Sequence, residues 1–281
     1  MLEQAVVTAD WLYENIDHPD LILLDATLAK PKSTVADIPH HNLQIKGAKF
    51  FDINGAFSDS TSELPHMMCN QSQFEHEARL LGINDQSMVV IYDQHGVYSS
   101  PRAWWMLRSM GIQNVAVLNG GLPKWTQKKF PTEKKRETKG KQGKISAQFN
   151  SSCFVDSNYL KKQLNNPDVI ILDARSKGRF EGTEPEPREG LRSGHIPNSL
   201  NLPFTEVLNG AVLKSKNELK TVFHTFELNE KQLIFTCGSG LTACIILLAA
   251  HVAGYTELSV YDGSWSEWGQ PSDLPVTTEV I

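Results

Sequence analysis

The sequence predicts an α/β protein made of two tandem domains, each a mostly parallel sheet flanked by helices. Three observations carry that expectation. Short, continuously apolar strands alternate with helices along the 281 residues, the pattern of βαβ units. The same series of elements then occurs a second time. Between Pro131 and Cys153 the periodicity lapses, and Lys, Thr, Gly and Ser dominate, as in an interdomain linker.

In chain order, Thr8 or Asp10 caps a first helix, and the run from Asp20 to Ala26 reads as a strand ending in an acid. A second short strand is expected from Gly47 to Ile53. The segment from Asn54 to Cys69 has no period and reads as a long surface loop, a common place for function. Gln73 to Leu81 forms a helix closed by Gly82, and Ser87 to Asp93 a strand. Ser100 to Met110 forms a helix with Pro101 in its first turn. Val115 to Leu118 is the next strand, and a helix follows Gly120-Gly121 through Trp125. After the linker the landmarks return. Asp168 to Ala174 repeats Asp20 to Ala26 at an offset of 148, and Leu233 to Cys237 repeats Val89 to Asp93 at 144. Tyr261 to Trp268 repeats Leu118 to Trp125 at 143. Near-constant offsets in one order indicate a duplication. The expected layout is a first domain over 1–132, a linker over 133–152 and a second domain over 153–281.

Composition narrows the function. The chain is 40% hydrophobic and 21% charged with a net charge of −5, ordinary for a globular protein and poor for a nucleic-acid binder. The basic run from Lys134 to Lys144 lacks aromatic residues for base stacking and reads as solvated linker. The N-terminal residues lack a basic stretch followed by an apolar core, so no signal peptide is expected. Ala243 to Ala253 is too short to cross a bilayer. No membrane partner is expected, and a cytoplasmic location follows. The four cysteines, Cys69, Cys153, Cys237 and Cys244, form no CxxC pair, which suits a reducing compartment better than a disulfide scaffold or a zinc site. No metal or organic cofactor is implied.

The stretch from Leu233 to Gly254 is the most informative. A buried strand runs into Cys237, a loop with Gly238 and Gly240 follows, and an apolar helix begins after Thr242, which can cap it. Such a turn aims backbone N–H groups and a positive helix end at the sulfur, and both favour a thiolate. A buried structural cysteine fits the same letters. The duplication separates the two readings, because the first copy has Asp93 where the second has Cys237. Ligands of open α/β sheets bind at the carboxyl ends of strands, and only Cys237 offers a nucleophile there.

Taken together, SPRAWW (100–105), VLNGGLPKW, SGHIPNSLNLPF (193–204), the cysteine loop and YDGSWSEW resemble the rhodanese superfamily of sulfurtransferases in its two-domain form. The resemblance implies two rhodanese-like domains, a catalytic cysteine in the second, and a site at the domain interface. The uncharged loop Cys237-Gly238-Ser239-Gly240-Leu241-Thr242 is similar to that of the branch using 3-mercaptopyruvate, with Leu241 for the more usual Val. The thiosulfate-using branch places basic residues after the cysteine. In the mercaptopyruvate branch two arginines bind the donor's carboxylate and keto oxygen, and Arg179 and Arg188 match them. A planar guanidinium pairs well with a planar α-keto acid. The alternative is that both merely balance Glu181, Glu184, Glu186 and Glu189 on a solvated loop.

By resemblance, Tyr98 hydrogen-bonds the donor and Arg102 either positions the interface or is structural. His66 matches a histidine proposed to relay protons with the loop serine, here Ser239. The acidic third member falls on Asn54, which cannot stabilise an imidazolium as a carboxylate does. Either Asp52 or Asp59 replaces it, or the relay is dispensable, the reading we favour. The resemblance implies sulfur transfer through a Cys237 persulfide to a thiol acceptor such as thioredoxin or a small thiol, or to cyanide, with pyruvate released. Rival expectations are a thiosulfate:cyanide sulfurtransferase and a noncatalytic binding module. A cysteine phosphatase needs an arginine where Ala243 stands.

Overall fold

The structure, a computed structural model, describes every residue except 1, 3, 39, 137–140, 227, 229 and 280–281. Two compact units divide the chain. One comprises Met1–Ser60, Met68–Asn150 and Gly210–Leu213, the other Thr61–Met67, Ser151–Asn209 and Lys214–Ile281. Each unit thus takes in a short segment from the other half of the sequence.

The first unit holds a five-stranded sheet in the order Val6–Val7, Val115–Leu118, Met88–Tyr92, Leu21–Asp25, Lys49–Phe50, with every pairing parallel. Met88–Tyr92 is buried at every residue, as expected of a central strand covered on both faces. The second unit repeats that order with Phe154–Val155, Leu258–Tyr261, Gln232–Thr236, Val169–Asp173 and Ser199–Asn201, again all parallel. Both units are of the expected α/β kind, a parallel sheet flanked by helices. The expected strand from Gly47 to Ile53 shrinks to Lys49–Phe50 at the sheet edge, where Phe51 leaves the ladder to pack on Phe57, ring centroids 3.8 Å apart.

Helices behave as their capping residues direct. The Thr8 side chain accepts from Trp11 N and opens Ala9–Asn15. Asn70 does the same through Gln73 N, so the second helix begins at Gln71, two residues earlier than expected. Ala243–Ala253, which follows the central strand of the second unit, buries nearly all its side chains. Among the described residues no helix is long and apolar enough to cross a membrane.

The stretch expected as an exposed linker is bound to the first unit at both ends. Thr132–Lys134 pairs antiparallel with Leu43–Ile45. Residues 137–140 lie outside the described residues. Further on, Gly143 N donates to Arg79 O at 2.8 Å, Gln148 N to Met110 O and Asn150 N to Ser109 O. The Arg79 guanidinium donates twice to Ile145 O, at 3.0 and 2.8 Å, and Ile145 and Ala147 are buried. The polar letters hid this docking because it runs through main-chain atoms, which composition does not report. Docked backbone resists proteases. Trypsin is therefore expected to cut after Lys144 slowly in the native protein and about tenfold faster in Arg79→Ala. Equal rates, followed by mass spectrometry of the fragments, count against the docking.

Candidate active site

The site is built at the carboxyl end of the central strand Gln232–Thr236, where Cys237 leaves the ladder almost wholly buried. Gly240 turns the chain with φ of +71°, a conformation glycine adopts without cost. The loop is tied down from the segment after the next strand. Trp265 N donates to Cys237 O at 2.9 Å, and Ser266 N and Oγ both donate to Gly238 O. Ser264 Oγ accepts from Cys237 N at 3.2 Å and Gly240 N at 3.0 Å, and donates to Tyr261 O at 2.8 Å. Ser264 holds φ at +48°, a strained value for a residue with a side chain. The first repeat has Gly121 there, with φ of +50°. The serine tolerates strain that glycine avoids, and its hydroxyl bridges two loop amides.

Thr242 stands at the N-cap of Ala243–Ala253, but its side chain makes no capping hydrogen bond, contrary to the sequence expectation. Its backbone is already helical, with φ −72° and ψ −18°, whereas a capping side chain needs extended backbone at that position. The N–H groups of Ser239, Thr242 and Ala243 have no acceptor among the described residues. The helix therefore keeps an open, positively polarised end beside the cysteine loop.

The first repeat shows what such a turn holds. Asp93 takes the place of Cys237 and is fully buried. Its Oδ2 accepts from Tyr98 N at 2.8 Å, Ser99 N at 3.1 Å, Ser100 N at 3.0 Å and Ser100 Oγ at 2.6 Å, while Oδ1 accepts from His95 N. At the repeat offset, Tyr98, Ser99 and His95 correspond to Thr242, Ala243 and Ser239, the residues whose amides are open in the second unit. One copy of the turn carries its own anion. The other has a short thiol in that place, and its donors stay open.

Two guanidiniums face this loop. A methyl group at Gly238 would lie 3.2 Å from Arg179 Nη2 and 3.7 Å from Arg188 Nη1, so the glycine lets the backbone run beside both. Arg179 is held by Glu186, whose Oε1 and Oε2 accept from Nε at 3.2 Å and Nη2 at 2.5 Å. Glu186 also pairs with Arg175, and Arg175 with Asp173, in a fully buried link stacked 4.1 Å over Trp265. Burial works against the Arg175 charge, and Asp173 and Glu186 more than offset it, so its pKa rises above the ordinary guanidinium value. Arg188 makes no hydrogen bond or ion pair among the described residues. It lines a cleft of about 540 Å³ with Leu64, Pro65, Leu191, Ser266 and Gln270, a size that suits a small-molecule ligand.

The remaining expected residues divide by unit. His66 lies in the segment that joins the second unit and has φ of +64°. Ser239 is buried, and its hydroxyl has no hydrogen-bond partner among the described residues, so no Ser239–His66 bond is formed. Leu241 is buried against the loop. Tyr98 is placed in the first unit, edge-on to His95 with Lys30 over its ring at 5.1 Å. Arg102 is fully buried there. Asn54 is exposed, and the Asp52 carboxylate accepts from the N–H groups of Asn54, Gly55 and Ala56. Asp52 is thus a turn residue.

The other cysteines differ from Cys237. Burial pushes the Cys69 thiol up to about 12, which keeps it protonated and inert. Cys244 is buried and donates to Gly240 O. His195 stacks on Phe180, and its Nδ1 lies 2.8 Å from Phe180 O. Among the described residues no group of three His, Cys, Asp or Glu side chains is placed to share a metal ion. Sequence reasoning missed Ser264, and it named Glu186 only as one of four glutamates that could balance the arginines, of which Glu186 is the one that pairs with Arg179. The Gly121-to-Ser264 difference within an otherwise matched motif was the available signal for the first. Nothing local marked the second.

A rhodanese-like domain model matches residues 8–128 and again 156–271. The 3-mercaptopyruvate sulfurtransferase of Escherichia coli K12 is 40% identical over 273 residues, 96% of each chain. The thiosulfate sulfurtransferase of Rattus norvegicus is 36% identical, covering 95% of this chain and 93% of its own. The crystal structure of SseA from Escherichia coli, described as a rhodanese fold of 3-mercaptopyruvate sulfotransferases, superposes with a TM-score of 0.82. It is 37% identical and covers 94% of this chain and 100% of its own.

Removing the Ser264 hydroxyl tests the loop's fastening. Ser264→Gly relieves the positive φ, so the melting temperature should hold or rise. Amide exchange at Cys237 and Gly240 should nevertheless quicken about tenfold as their acceptor is lost. Unchanged exchange rates would show that the serine does not hold the loop.

Proposed function

The chain belongs to the rhodanese family in its two-domain form and is a sulfurtransferase, and we propose that it moves sulfur from 3-mercaptopyruvate through a persulfide on Cys237 to a thiol. The observation that supports this most is the division of labour around Gly238. The loop itself bears no charge, and the cationic groups beside it are two planar guanidiniums. That arrangement suits the adjacent carboxylate and carbonyl of an α-keto acid.

In this reading Arg188, open on the cleft, pairs with the donor carboxylate, and Arg179 donates to the carbonyl oxygen. The Cys237 thiolate attacks the donor's thiol sulfur. The new S–S bond forms as the C–S bond breaks, and the bonding pair becomes the enolate of pyruvate. The enolate oxygen is stabilised by Arg179 and by the Ser239 hydroxyl. The proton carried on the transferred sulfur ends on the pyruvate methyl carbon, with His66 the candidate to move it. Cys237 keeps the outer sulfur as a persulfide anion, accepted by the amides of Ser239, Thr242 and Ala243 as Asp93 is accepted in the first unit. A thiolate acceptor, thioredoxin or a small thiol, then attacks the outer sulfur and restores the Cys237 thiolate. Cyanide reacts in the same way. Tyr98 is assigned a hydrogen bond to the donor by its place in the matched motif.

Thiosulfate is the second reading, favoured by the likeness to the rat thiosulfate sulfurtransferase. Against it stands the uncharged cysteine loop. The ratio of kcat/KM for the two donors decides between them and is expected to favour mercaptopyruvate.

Two further measurements test the scheme. Intact-mass analysis after incubation with mercaptopyruvate should find one added sulfur, mapped to Cys237, and none on Cys237→Ser. Arg188→Ala should raise KM for mercaptopyruvate by about tenfold or more, the scale of a lost charge-assisted pair. An unchanged KM takes Arg188 out of the donor site.

A further inference from the structure

Four charged side chains run in a line beneath the cysteine loop: Asp173, Arg175, Glu186 and Arg179. Asp173, Arg175 and Glu186 are at most 3% exposed, and Arg179 is 21% exposed. The line is electrically balanced, two acids against two bases. Its outer member, Arg179, therefore reaches Gly238 with its charge already cancelled by Glu186. Arg188, the other guanidinium there, has no acidic partner among the described residues. The two arginines look alike in sequence but bring different charge to the site.

We propose that Glu186 is a positioning residue that sets donor preference: by pairing with Arg179 it fixes that guanidinium against Gly238 and cancels its charge. Arg188 is left as the single uncompensated cation, and the cleft takes a monoanionic α-keto acid ahead of a dianion such as thiosulfate. The proposal rests on the reading that Arg179 and Arg188 meet the donor.

The physical reason is the place of the compensating charge. The Glu186 side chain is 3% exposed, so its field on a ligand beside Arg179 is little screened. Glu63 and Glu189, which also line the cleft, are exposed, and water and salt screen them. A monoanion meets one net positive charge from Arg188 and uncharged-equivalent N–H donors from Arg179. A dianion meets the same single charge, and its second charge faces the Glu186 carboxylate one guanidinium away. Selectivity then comes from a repulsive element built behind the site as well as from attraction within it.

Glu186→Gln removes the charge and keeps an oxygen that can accept from Arg179. Its expected effect is a rise of about tenfold in the ratio of kcat/KM for thiosulfate to kcat/KM for mercaptopyruvate. Glu186→Asp keeps the charge and withdraws it from Arg179. It should slow both donors together and leave the ratio within about twofold. A lost fixing contact alone would reduce both donors equally in both variants, so the ratio reads the charge. Isothermal titration of the resting proteins with pyruvate and with sulfate gives a measure that needs no turnover. In Glu186→Gln the preference for pyruvate over sulfate should fall about tenfold.

An unchanged ratio in Glu186→Gln by both measurements overturns the proposal, as does an equal shift in Glu186→Asp. If the native protein transfers no sulfur from mercaptopyruvate, the proposed function fails, while the anion titrations still decide the role of Glu186.

Discussion

A turn that leads from a buried strand into a helix leaves backbone N–H groups pointing at one spot, and those donors favour an anion there. That constraint organises both halves of this molecule. In the first unit the donors are met from within, by the Asp93 carboxylate and its five hydrogen bonds. In the second unit the same position carries a thiol too short to meet the donors in its resting form. The open amides of Ser239, Thr242 and Ala243 match a site whose anion is assembled during a reaction rather than carried by the fold.

The price of leaving that position free is that the loop cannot be anchored by its own first side chain. Asp93 anchors the first loop; Cys237, which must stay available, cannot do the same. Ser264 takes over the task from outside, holding Cys237 N and Gly240 N through a strained backbone conformation that the first unit gives to glycine. Stability is conceded locally and the scaffold over-determines it, as strained residues at functional sites generally require. The same logic applies to charge. The loop carries no charged side chain, and the charges beside it, Arg179 and Arg188, enter from a separate segment.

Local chemistry was readable where a single residue type could do the job. The all-parallel sheets followed from continuous apolar runs, the duplication from landmarks 143 to 148 residues apart, and Thr8 and Asn70 act as caps because side-chain oxygens reach their own helix. Where an interaction depended on backbone rather than side chains, reading failed. The linker after Lys134 looked solvated, yet the main chain of Gly143, Gln148 and Asn150 docks on Arg79, Met110 and Ser109. Thr242 has the right oxygen for a cap and the wrong backbone angles to use it.

By itself the sequence determined the fold class, the repeat, a cysteine at the strand end and a pair of arginines in one segment, because each depends on residue type and order along the chain. Only the tertiary structure decided which of the four glutamates near Arg179 matters. Glu181, Glu184, Glu186 and Glu189 are equivalent as letters, but Glu186 is the one folded against Arg175 and Arg179 with 3% of its side chain exposed. Burial is a property of packing, and a buried carboxylate acts on its neighbours with little of the screening that weakens a surface charge.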